Sequence, residues 1–102
     1  MHEPLDTFKN EFPSVWAAYE AMRDACDQQG PLDRKTVELI KVGISAALGR
    51  HGGLVAHISQ AQRAGAQEAE IYHALLITMS LAGFPDTLGA FVTAREHLAG
   101  KG

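Results

Sequence analysis

Two residues in this 102-residue chain combine a chemically useful side chain with a telling setting. Glu38 lies in the most apolar stretch, among Val37, Leu39, Ile40, Val42 and Ile44. A carboxylate buried in such a helix is costly unless a partner answers it. His57 follows a glycine-rich break, Gly49-Arg50-His51-Gly52-Gly53, and imidazole is the side chain best suited to exchange a proton near neutral pH. Brought together, directly or through one water, they form a proton relay. Each also has a plainer reading. His57 can be a packed histidine satisfied by a backbone carbonyl. Glu38 can be an exposed helix residue paired with Arg34 four positions before it, or with Lys35 or Lys41 three positions either side.

Other side chains could serve the same site. Arg50 carries an always-charged fork suited to carboxylates, but it also reads as a cation closing a helix, where the macrodipole favours it. His51, beside Gly52-Gly53, could line the same cavity; a solvated loop position is the reading its neighbours favour. Glu70-x-x-His73 has the spacing of one carboxylate-bridged di-iron motif, but that architecture needs a second such motif and two more glutamates, so no metal is expected. His97, next to Glu96, is expected at the surface, and Trp16, Tyr19, Phe84 and Phe91 in the core. Cys26 has no second cysteine to pair with.

These residues must be positioned by helices, since no stretch alternates with a period of two. Apolar residues recur at helical spacing from about Pro13 to Gln29, where Gly30-Pro31 ends the pattern. Asp33 is a candidate N-cap for a second helix reaching Leu48, with Val37, Ile40, Ile44 and Leu48 on one face. A third helix is expected from Leu54 to Ala64 after the glycine break, and a fourth from Gln67 to Ala82 with Ile71, Leu75, Met79 and Ala82 as its stripe. Gly83-Phe84-Pro85 then opens a fifth, with Leu88, Phe91, Val92, Arg95 and Leu98. Gly100-Lys101-Gly102 should fray. The expectation is an all-α compact bundle of five to six helices in a single domain, residues 1–102. The second and fourth helices are apolar most of the way round. A domain this small buries little surface alone, so part of these helices is expected to be covered in a homo-oligomer.

The stretch Leu32-Asp33-Arg34-Lys35-Thr36-Val37-Glu38-Leu39-Ile40 resembles the opening of the carboxymuconolactone decarboxylase (AhpD-like) domain. Ala47-Leu48-Gly49-Arg50, His57, Ala64-Gly65-Ala66, Glu70-Ile71 and Ala82-Gly83-Phe84-Pro85 continue it in order and spacing. The resemblance implies an AhpD-like helical fold in trimers or hexamers. It also implies roles. In the thiol-redox branch a Cys-x-x-Cys pair is preceded by a Glu and followed by a His; these fall on Glu38 and His57, while the cysteine positions fall on Arg50 and Gly53. Neither can form the thiolate that disulfide exchange needs. Gly49-Arg50 and His57 fit the decarboxylase branch better.

The function expected is therefore a small lyase acting on an anionic lactone or keto-acid. His57 is its general acid, Glu38 its partner, and Arg50 and His51 substrate-binding candidates. The substrate serves as the electron sink, so no cofactor is expected. A non-catalytic oligomeric binding protein of the same fold is the alternative, and an AhpD-type peroxiredoxin comes third. Composition supports a folded protein, 46% hydrophobic and 21% charged. The net charge of −3 and the lack of a basic run argue against nucleic acid and anionic membrane partners. Met1-His2-Glu3-Pro4 does not open a signal peptide and no apolar run reaches membrane length, so a cytoplasmic location is expected.

Overall fold

A computed structural model describes residues 3–100. The expectation that the tail frays concerns in part Lys101 and Gly102, which lie outside the described residues, as do Met1 and His2. Six α-helices follow one another: α1 (Glu3–Glu11), α2 (Pro13–Gln28), α3 (Arg34–Ala47), α4 (His51–Arg63), α5 (Glu68–Ala82) and α6 (Phe84–Leu98). No strand occurs among the described residues. Helix α1 lies ahead of the periodic pattern that begins at Pro13. The chain divides into two compact units, residues 1–31 and 32–102.

The first unit contains α1 and α2, separated by Phe12, with Pro13 opening α2 where a missing N–H costs nothing. Neither helix has a buried residue. Its ring contacts are Phe8 on Phe12 at 5.4 Å, Trp16 on Tyr19 at 5.2 Å, and the Lys9 ammonium 4.8 Å from the Trp16 ring centre. Tyr19 is exposed and Trp16 half-buried, so neither is the fully buried core residue expected.

The second unit holds the core, formed by Val42 and Ala46 of α3, Leu54, Ile58 and Ala61 of α4, Ala66, Ile71 and Leu75 of α5 with its lead-in, and Ala90 and Ala94 of α6. Local chemistry fixes the ends of these helices. Asp33 is the N-cap of α3, its carboxylate accepting from the Thr36 N–H at 2.8 Å. That bond holds the Asp33 carboxyl below its ordinary value. Gln67 and Glu70 form a reciprocal capping box at α5. Gly83, at φ 106°, turns the chain between α5 and α6 in a conformation that L side chains rarely adopt.

Three expectations change. The face of α3 that meets the core carries Glu38, Val42, Ser45 and Ala46; Ile40, Ile44 and Leu48 point away from it and are exposed. Helix α4 starts at His51, so the break is confined to Leu48–Arg50, with positive φ at Gly49, and Gly52 and Gly53 belong to the first helical turn. Phe84 is exposed, while Phe91 is half-buried and packs on Tyr72 at 5.7 Å.

Candidate functional site

Glu38 and His57 meet. His57 Nδ1 lies 3.0 Å from Glu38 Oε1, joining α3 to α4. Glu38 is 4% exposed, and the His57 side chain is 31% exposed. The pair forms because each helix turns the right face inward. Glu38 shares a side of α3 with Val42 and Ser45, and His57 precedes the fully buried Ile58 on α4. With Glu38 ionised, Nδ1 carries the donated hydrogen and Nε2 is left to exchange a proton with a bound molecule. The cost of burying the carboxylate is met on both oxygens, because Arg34 Nε lies 3.8 Å from Oε2. The relay and the i,i+4 helix pair, alternatives in the sequence, are both present.

The arginine is itself tied across the helices. Arg34 Nη2 donates to Gln60 Oε1 at 3.1 Å, and Gln60 stands one turn after His57 on α4. Gln60 carries no chemical signature in the sequence; its spacing of three from His57 is the signal that could have found it.

Arg50 is the N-cap residue of α4, with no side-chain capping bond, and is exposed. A cation at a helix N-terminus faces the unfavourable end of the dipole, the reverse of the C-terminal placement expected from the sequence. His51 is not a loop residue. It occupies the first turn of α4 and its Nδ1 contacts Thr93 Oγ1 of α6 at 2.7 Å. Its ring also lies where Gly89 has no side chain; a Cβ there would stand 3.5 Å from the His51 ring. His97 is half-buried and bonds Ser59 through Nε2 at 3.1 Å, where a surface position was expected. Glu70 is held by its own cap and by Lys35 Nζ at 2.9 Å. The Gln67 backbone N–H first, and Lys35 second, keep its carboxyl below the ordinary range. Cys26 is a free, exposed thiol.

A groove of about 680 Å³ runs between α3 and α5. Leu39, Ile40, Ile44, Ile77 and Leu81 form its walls, and Gly43 lies among its lining residues. Glu38, His57, Arg50 and His51 are not among them; Glu38 lies across α3 from the groove.

An all-helical protein with a buried glutamate bonded to a histidine of the following helix is the class that fold and site define. The chain belongs to the carboxymuconolactone decarboxylase family, whose model matches residues 13–96. This agrees with the AhpD-like resemblance read from the sequence. A carboxymuconolactone decarboxylase family protein from Legionella pneumophila, in its apo crystal structure, is similar at a TM-score of 0.85 and 22% identity. The alignment covers 98% of this chain and 89% of that one, a likeness of fold. No curated protein matches the sequence. No described helix is long and apolar enough to cross a membrane.

Proposed function

We propose that this chain is a small lyase that decarboxylates an anionic lactone or keto-acid, with His57 as the proton donor and Glu38 as its partner. The observation that supports this reading is the 3.0 Å contact between His57 Nδ1 and the buried Glu38 carboxylate. The bond between the substrate's carboxylate carbon and its neighbour breaks, and carbon dioxide leaves. The electron pair left behind spreads as an enolate into the lactone carbonyl. The His57 imidazolium gives its Nε2 proton to carbon and becomes neutral, keeping the Nδ1 hydrogen bonded to Glu38. Solvent then returns the proton. Glu38 fixes the ring's orientation and its tautomer, as a carboxylate does for a catalytic histidine in general. Family membership points to the substrate class, and the absence of a Cys-x-x-Cys pair points away from thiol redox chemistry.

A carbon-13 NMR time course with carboxymuconolactone tests this reading. The wild-type protein is expected to release carbon dioxide. His57→Gln should be slower by about 100-fold or more, the range that general acid catalysis supplies. Equal rates for the two proteins would sink the assignment.

The α3–α5 groove favours a second reading, an oligomeric binding protein in which the family fold is kept without the reaction. Leu81 on its rim is 91% exposed, more than any other large apolar side chain described. The occupant we propose is a second copy of the chain. Ile40, Ile44, Ile77 and Leu81, all lining the groove, are each exposed by 45% or more, a contiguous apolar face of the kind that a second copy covers. A second copy on the groove is compatible with the lyase reading; no turnover in the time course would leave the binding protein alone.

A further inference from the structure

In the proposed lyase reaction His57 delivers the proton and Glu38 orients it, so neither holds the substrate's own carboxylate. A cation beside the pair is suited to that task. The family resemblance pointed to Arg50; the arginine in contact with Glu38 is Arg34.

We propose that Arg34 is the carboxylate-binding residue of the Glu38–His57 site, and that its ligand is a small lactone or keto-acid carboxylate. This rests on the proton-transfer reading above and names what would hold its substrate. The guanidinium is fixed at two points, Nε beside Glu38 Oε2 at 3.8 Å and Nη2 on Gln60 Oε1 at 3.1 Å. Those contacts use the side of the fork that faces the helices. Neither uses Nη1, and the Arg34 side chain is 68% exposed. The outer edge of the fork, Nη1 with the second Nη2 hydrogen, is therefore presented to solvent in the planar geometry that takes a carboxylate at two points. Anchoring by Glu38 and Gln60 removes rotamer freedom before the ligand arrives, so less is lost on binding. The guanidinium and the imidazole contact the two oxygens of one carboxylate, Glu38, which places both on the same side of α3.

The other charged groups around the pair are placed differently. On α3, Lys35 is bound to Glu70 of α5, and the Asp33 carboxylate before the helix accepts from Thr36. Lys41 stands almost one turn beyond Glu38 on α3. On α4, Arg63 lies in the last turn, and His51 is bonded to Thr93 of α6. His97 of α6 is bonded to Ser59. Arg34 and His57 each lie within 4.0 Å of Glu38, one on each carboxylate oxygen.

The test is an NMR titration of the full chain with 5-oxotetrahydrofuran-2-carboxylate, a stable lactone acid, and with neutral γ-butyrolactone. It follows the Arg34 Nε–H and His57 ring signals. The wild type should bind the acid saturably at millimolar concentration. Arg34→Gln should weaken that binding by about tenfold or more, Arg34→Lys by less, and Arg50→Gln by under about twofold. The neutral lactone should bind wild type and Arg34→Gln equally, which a merely structural role for Arg34 would not predict. Acid binding unchanged in Arg34→Gln, equal loss of both ligands, or no saturable acid binding by the wild type would each overturn the proposal. Arg34-dependent binding without turnover of carboxymuconolactone would sink the lyase reading alone. Turnover with unchanged binding in Arg34→Gln would sink this one alone.

Discussion

Glu38 can be retained in the apolar interior because both of its oxygens face a positive or hydrogen-donating group, His57 on one side and Arg34 on the other. That arrangement separates two effects that a substitution usually mixes. Glu38→Gln keeps an oxygen able to accept from His57 Nδ1 and keeps the side chain's size. Its loss of stability should therefore stay near 1 kcal/mol, the worth of one hydrogen bond, as read from denaturant unfolding. The charge that pairs with the imidazolium is gone, so turnover should fall much further than stability does. A loss of several kcal/mol would mean that Glu38 is chiefly a structural group. The residue types of this pair are legible in the sequence: a glutamate in an apolar run and a histidine after a glycine break. Their contact is not, because nineteen residues separate them and only helix packing decides whether the two faces meet. The places of Arg50 and His51 differ from expectation for the opposite reason. Local glycine content suggests a loop, while packing against α6 extends α4 back to His51.

Helices α3 and α5 approach closely at Gly43, where an added Cβ would lie 3.0 Å from Thr78 Oγ1. That hydroxyl is bonded to the Ala74 carbonyl at 2.8 Å and does not swing aside freely. Gly43→Ala should therefore destabilise, despite the ~1 kcal/mol of helix propensity that alanine brings. In a Thr78→Ala background the obstruction is gone and the same change should stabilise. A double-mutant cycle by thermal unfolding checks the reversal of sign. The two helices are also joined by Lys35 and Glu70, whose contact raises the lysine's pKa and helps lower the glutamate's. A carboxyl depressed in the folded state adds stability above its unfolded value, 4.5 here, and loses it as pH falls through the lower folded value. The melting temperature of the wild type should decline across that acid window, and Glu70→Gln should show a shallower decline. Parallel acid limbs would contradict the role given to this carboxyl. Helix ends are the most legible features of the sequence, since Asp33 and the glycines and prolines act through local chemistry. The inward faces are less so. A helix apolar all round, such as α3, does not reveal which stripe meets the core, and Ile40 and Ile44 line the groove instead.

At the scale of the whole molecule, the exposed aliphatic rim of the groove carries a prediction about assembly. Wild-type protein should sediment as an oligomer. Leu81→Asp, which puts a charge on the most exposed apolar position without disturbing the core, should shift it toward monomer. A monomeric wild type would overturn the proposal that a second copy covers the groove. The all-helical architecture is readable from periodicity, except for α1, and the family from the ordered segments between Leu32 and Pro85. What those segments do not convey is that the groove and the Glu38–His57 pair occupy opposite sides of α3. Assembly and chemistry can then be tested separately, since substitutions on one face leave the other intact. The most direct test of the central claim is a cycle of decarboxylation rates for wild type, Glu38→Gln, His57→Gln and the double variant, with carboxymuconolactone as substrate. If the two residues act as one proton-transfer unit, their effects are not additive, and the double variant should be no slower than His57→Gln alone. Rates that multiply, or a Glu38→Gln variant as fast as wild type, would contradict it.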